Sequence, residues 1–251
     1  MRILITIFIT LFFLLEINAQ RFYCWAIEGL NIRDKPSPTG KVLGKLKYGE
    51  SLDIDLRKTE FSNYYKELFL VGEMEDMSAD INFSGSWYYV DYEGTNGYIF
   101  GGYLSRYPPF EIQKIGDDII CEHLNGYFKR NYNLISHSIA EFDSSYHDNQ
   151  VRTFVFKEGI MMIDSNSDKG MGYDLIFSGM TMNEALLLIK FDFQLFKLQK
   201  NKLRRTVLEG DDYYGKKVSY DKIEINFPAP SGSITIIDTG QAIIISIWGS
   251  C

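Results

Sequence analysis

Between Gly29 and Phe100 the apolar positions come in short bursts. Leu30/Ile32, Leu43/Leu46 and Leu52/Ile54 are separated by two corners, one built on Pro36, Pro38 and Gly40 and one on Gly49. Brief alternation bounded by glycine and proline predicts short, half-buried strands. The predicted strands are Gly29–Arg33, Val42–Leu46, Ser51–Arg57, Trp87–Tyr92 and Gly97–Phe100. A long connection lies between Arg57 and Trp87, and within it Tyr64–Val71 reads as a further strand pair or a loop insertion. Tyr92–Tyr98 carries a hairpin signal, with Gly94 and Gly97 expected to supply the positive φ of a tight turn.

The pattern changes at Tyr107-Pro108-Pro109, where consecutive prolines can continue neither a ladder nor a helix. We place a domain boundary there, with one domain over residues 25–106 and a second over 110–251. In the second, Ile119, Ile120, Leu124, Tyr127 and Phe128 recur at helical spacing and predict a helix over Asp117–Tyr132. Val151–Asp164 and Tyr173–Ser178 read as strands. Thr181-Met-Asn-Glu184 has the form of a capping box opening a second helix. Strands Arg204–Leu208 and Val218–Phe227 follow, and a hairpin about Asp238-Thr239-Gly240 closes the chain. The predicted class is mostly β: a small β-barrel followed by an α+β domain with two helices on a mainly antiparallel sheet.

The ordered features of the first domain resemble a known family. They run Leu30-Asn31-Ile32-Arg33, the Pro-Ser turn, Val42-Leu43-Gly44, the Gly49 turn, Trp87-Tyr-Tyr-Val90, the glycine hairpin, Gly97-Tyr98-Ile99 and the closing Tyr103-Leu104. This order is similar to the bacterial SH3 domain. The resemblance implies a strongly bent barrel with Leu30, Ile32, Leu46, Leu52, Ile54, Val90 and Ile99 as its core. It also implies a module that binds peptides, including cell-wall peptide stems. The connection between Arg57 and Trp87 is longer than is usual in the family.

The first residues add a location. Met1-Arg2 precedes the apolar run Ile3–Leu15, which Glu16 and Asn18 end, and a small residue stands at Ala19. This predicts a signal peptide over residues 1–19, too short for a membrane span, and an exported, periplasmic or secreted protein with no stable span after cleavage. The net charge of −7 disfavours nucleic acid and anionic lipid as partners. Of the three cysteines, Cys24 and Cys251 sit near the two ends and are the favoured disulfide pair; three separate thiols are the alternative.

Candidate chemistry is sparse. Cys121 is predicted mid-helix, with His123 on a different face, and lacks the setting of a Cys-His nucleophile. His123, His137 and His147 contain no close pair of the kind zinc sites use, and the latter two flank a polar turn at Asp143. The stretch Asp164–Gly170 has alternate oxygen side chains, as a calcium loop does, but Lys169 and Leu175 stand where such a loop wants glycine and glutamate. It reads as a hairpin. No cofactor and no metal are predicted.

Aromatic side chains are the better candidates. Trp87, Tyr88, Tyr92, Tyr98, Phe100 and Tyr103 crowd one segment and are predicted to contact ligand. Strand geometry puts Trp87 and Tyr89 on one face, and Tyr88, Val90 and Tyr92 on the other. The expectation is a non-catalytic binding or adaptor protein whose partner is a peptide, peptidoglycan or an envelope protein. The alternatives are a peptidoglycan hydrolase with an unrecognised C-terminal catalytic domain and a secreted inhibitor.

Overall fold

The computed structural model describes residues 19–69, 81–115, 118–141, 150–167, 170–192, 222–226 and 232–249. The chain divides into two compact units, the first within residues 1–66 and 84–109, the second within 67–83 and 110–251.

The first unit is a small barrel-like fold made from two antiparallel sheets. Its strands are β1 (Ala19–Cys24), β2 (Leu30–Arg33), β3 (Val42–Leu46), β4 (Ser51–Asp55), β5 (Thr59–Phe69), β6 (Ile81–Tyr92), β7 (Thr95–Phe100) and β8 (Leu104–Ser105). One sheet runs β3-β2-β7-β6-β5 and the other β4-β1-β8. Strand β1 was not predicted. It pairs with β4 from Ala19↔Asp55 to Tyr23↔Ser51, so the fold begins before Trp25. The alternation that marks it, Phe22 and Cys24 inward, lies in only six residues and adjoins the leader-like run. All seven predicted core residues are buried, with Ile32, Leu46 and Ile99 at 0% exposure. Phe22, Cys24, Trp87, Phe100 and Leu104 complete that cluster. Trp25 is also buried, and its indole N–H donates to the Tyr107 carbonyl at 2.8 Å, tying β1's end to the proline pair.

The Tyr92–Thr95 hairpin departs in detail from expectation. Glu93 (φ 50°) and Gly94 (φ 77°) take the two positive-φ positions of a two-residue turn. Gly97 serves another need. It lies within β7, where an added Cβ would stand 2.6 Å from the Arg33 carbonyl oxygen, so the close approach of β2 and β7 requires glycine.

The second unit begins with a hairpin of β9 (Ile112–Ile115) and β10 (Asp118–Cys121), then α1 (Leu124–Asn131). The helix predicted over Asp117–Tyr132 is therefore half strand. Ile119 and Ile120 are β-branched and pair with Lys114 and Gln113, and His123 has extended backbone (ψ 150°) at the start of α1. Seven strands then form one antiparallel sheet in the order β11-β12-β13-β14-β17-β16-β15. They are β11 (Leu134–Glu141), β12 (Gln150–Phe156), β13 (Ile160–Ser167), β14 (Gly170–Ser178), β15 (Lys222–Asn226), β16 (Ser233–Asp238) and β17 (Ala242–Gly249). The predicted single strand Val151–Asp164 is two, because Lys157–Gly159 turns the chain with Gly159 at φ 74°. The closing hairpin turns at Gly240 (φ 78°), whose N–H donates to Asp238 Oδ1 at 2.8 Å. The expected strand Arg204–Leu208 lies outside the described residues, as does half of Val218–Phe227, whose described half is β15.

One face of this sheet is buried. Phe156, Ile160, Met162, Leu175, Phe177, Ile234, Ile236, Ile243 and Ile245 line it, each 5% exposed or less. Helix α1 covers part of it through Phe128, whose ring lies 5.3 Å from Phe156 and 6.1 Å from Phe177. Helix α2 (Met182–Asp192) packs on β16 and β17 and buries Ala185 to Ile189. Each such aliphatic or aromatic side chain contributes roughly 1.5–3 kcal/mol on full burial. The capping box is formed: Thr181 N–H donates to Glu184 Oε2 at 2.9 Å, and Glu184 N–H to Thr181 Oγ1 at 3.3 Å.

Candidate ligand-binding face

Strand β6 pairs with β7 from Trp87↔Phe100 through Tyr89↔Tyr98 to Tyr92↔Thr95. Directly paired residues share a face, so two rows result. The inward row holds Tyr88, Val90 and Tyr92 opposite Ile99, Gly97 and Thr95. Val90 and Ile99 are buried there, and Tyr88 stacks on Phe22 with ring centroids 5.9 Å apart. Tyr92 is committed internally as well. Its hydroxyl donates to Glu50 Oε2 at 3.0 Å, and its phenol is pushed up to about 12, by burial first and then by the Glu50 carboxylate. Glu50 in turn is held below the ordinary carboxylate range, chiefly by the Lys47 backbone N–H at 2.8 Å.

The other row holds Trp87 and Tyr89 opposite Phe100 and Tyr98. Alternation alone would treat its members alike. The structure separates them. Trp87 (3% exposed) and Phe100 (5%) are buried against each other at 5.7 Å, and the ring of Tyr103 meets Phe100 edge-on at 6.1 Å. Tyr89 is 38% exposed and meets half-buried Tyr98 edge-on, centroids 5.2 Å apart at 70°. Thus the six predicted contact residues divide. Trp87 and Phe100 are core, and Tyr88, Tyr92, Tyr98 and Tyr103 pack partly buried against it, Tyr98 also meeting exposed Tyr89 edge-on.

The pairing extends this outer row across four strands. Tyr98 pairs with Arg33 on β2, and Arg33 pairs with Val42 on β3, next to a register shift. Val42 (48% exposed) and its neighbour Leu43 (42%) stand open. Arg33 is anchored by a 2.6 Å hydrogen bond from Nη1 to the Gly40 carbonyl. Tyr89–Tyr98–Arg33–Val42 is therefore a shallow strip of two phenols, a guanidinium and an aliphatic side chain. Arg33 and Val42 escape a sequence search for binding residues because only strand register brings them to the tyrosines.

Residues 28–105 match the bacterial SH3 domain. The strip lies wholly within this SH3 domain, which is a ligand-recognition module. No other family is recognised in the chain, and comparison with curated proteins and with solved structures found no match.

The residues weighed for chemistry fall apart. Cys121 ends β10, buried at 9% exposure, rather than lying mid-helix. His123 precedes α1 and is exposed. His137 is on strand β11, its imidazole stacked on Phe154 at 4.6 Å, not in a loop. His147 lies outside the described residues. Asp164 is a ladder residue opposite Tyr173, ion-paired with Arg152 at 3.3 Å, and Ser167 pairs with Gly170, so the described residues of this stretch belong to the β13–β14 ladder; Asp168 and Lys169 lie outside the described residues. Cys24 is fully buried, and Cys251, the other member of the favoured disulfide pair, lies outside the described residues. Burial pushes the Cys24 thiol up to about 11. Among the described residues no helix is long and apolar enough to cross a membrane, and no three His, Cys, Asp or Glu side chains cluster as metal ligands would.

Proposed function

We propose that this protein is exported and non-catalytic, and that its SH3 domain holds a peptide of the cell envelope, such as a peptidoglycan stem, against the Tyr89–Tyr98–Arg33–Val42 strip. The observation that carries the reading is that strip's composition on a domain that binds ligands. Two tyrosines offer flat amphipathic area at little entropic cost, Arg33 favours a ligand carboxylate, and Val42 receives an apolar side chain. Export rests on the leader-like pattern of residues 1–19.

The test is retention of residues 20–251 on purified peptidoglycan, followed by capture from envelope extract. A Tyr89→Ala/Tyr98→Ala variant is expected to lose roughly 30-fold or more in affinity while keeping its fold. Retention that the variant leaves unchanged would remove the strip from the reading. Absence of retention, with one envelope protein recovered through the strip, would make the partner a protein rather than the wall.

A further inference from the structure

The seven-stranded sheet ends at β11, and this edge is unlike its opposite. Among the described residues β11 pairs only with β12. All eight of its residues are exposed, including Leu134 (54%), Ile135 (65%) and Ile139 (53%). The strand carries no lysine and no proline, and its one charge is Glu141 at the end. At the other end of the described sheet, β15 is five residues long and carries Lys222 and Glu224. Natural sheets protect edges with short strands and charges, because an open edge pairs with another chain. Strand β15 follows that rule; β11 has no such charge, and its one irregularity is a register shift between Leu134 and Ser136 that leaves Ser136–Glu141 in continuous register with β12.

The sequence of β11 says which chain would pair with it. Ile135-Ser136-His137-Ser138-Ile139 reads the same in both directions. Two antiparallel copies related by a two-fold axis through His137 would place Ile135 opposite Ile139 twice, Ser136 opposite Ser138 twice, and His137 opposite itself. Every cross-strand pair would then be like with like: apolar on apolar, hydroxyl on hydroxyl. A two-fold interface demands such self-complementarity, since each patch meets its own copy. Cross-strand β-branched pairs and hydroxyl pairs are both favourable. The imidazole of His137 is already held by stacking on Phe154, so the central residue is oriented before pairing. Glu141 lies beyond the palindrome, opposite Asn133 of the second copy in this register, so the two Glu141 carboxylates do not meet.

We propose that β11 is a homodimerisation edge: two copies of this chain pair antiparallel through residues 135–139, joining their sheets across a two-fold axis at His137. This does not depend on what the SH3 domain binds. Its consequence for binding is that each dimer presents two SH3 strips, so a polymeric ligand gains avidity.

The experiment combines mass in solution with register-specific cross-linking on the purified protein. Light scattering at about 100 μM should give twice the monomer mass, since edge pairing of this size is a weak, concentration-dependent interface. Ile135→Lys/Ile139→Lys, at exposed positions that leave the core intact, should be monomeric with an unchanged circular dichroism spectrum. His137→Cys should form a disulfide-linked dimer beyond any background of the unsubstituted protein, because paired residues bring their Cβ atoms within about 5 Å. Ser136→Cys alone should not, because its partner in this register is Ser138. A protein that stays monomeric and does not cross-link at 137 would overturn the proposal. So would a dimer indifferent to the lysine pair, or one linked through Ser136→Cys in preference to His137→Cys.

Discussion

In the first unit β1 has β4 on one side and β8 on the other, and β2 lies between β3 and β7; in the second, β11 has β12 on one side and no described strand on the other. Both units are antiparallel and both alternate buried and exposed residues, yet one divides its strands between a three-stranded and a five-stranded sheet and the other gathers seven into a single sheet. Outside the long pair β5 and β6, of 11 and 12 residues, the difference follows strand length and corner chemistry. Several barrel strands are two to six residues long and separated by glycine corners, with Gly29 and Gly49 at φ near 80°. The strands at the centre of the seven-stranded sheet run seven to nine residues in continuous register, β14 pairing with β17 at eight successive positions. Short, cornered strands can bend around one small core. Long registered strands need helices to cover a face, and α1 and α2 do that.

The strongest way to break this comparison is to attack each core in turn. Ile99→Ala in the barrel and Ile245→Ala in the sheet each empty a site that is 0% exposed, and each should cost roughly 2–5 kcal/mol. Because each unit has its own core, calorimetry should show two transitions, with each variant lowering one. A single transition that both variants lower equally would mean the units unfold as one.

A smaller effect is expected at the start of α2. Thr181→Ala removes the hydroxyl that accepts the Glu184 N–H, and should lower the second transition by about 0.5–2 kcal/mol. A shift in the first transition instead would contradict the division into units.

The smallest effect is one of pH. Glu50 has its carboxyl held below the ordinary value, by the Lys47 N–H first and also by the Tyr92 hydroxyl. A carboxyl with a depressed folded value stabilises the fold above its unfolded value of about 4.3, and that contribution is lost as pH falls through the folded value. The barrel's transition should therefore drop on acidification below about pH 4.3, and Glu50→Gln should flatten that part of the profile. An unchanged acid slope in the variant would assign the dependence to other carboxylates.

What was legible in the sequence was what is local. The capping box at Thr181 and Glu184, the turn at Gly240 and the barrel core from Leu30 to Ile99 are each written in a few adjacent residues or in simple alternation. Long-range pairing was not legible. Ile119, Ile120, Leu124, Tyr127 and Phe128 fit a helical period, but the first two are claimed by β9, whose pairing no window of sequence contains. The same holds for the candidate site. Alternation placed Trp87 with Tyr89, yet the ring of Phe100 buries one while the other stays open. Arg33 joins Tyr98 only through the ladder between β2 and β7.

Each unit also contains a buried thiol among its described residues, Cys24 in the barrel and Cys121 at the end of β10. Cys24 has no exposed surface, and burial leaves its thiolate scarce at neutral pH. An alkylating reagent therefore reaches it only while the barrel is open, and its labelling rate is a clock for that opening. The peptide bearing Cys121 keeps the same record for the other unit, so one mass spectrum of the native protein, without denaturant, times how often each half comes apart.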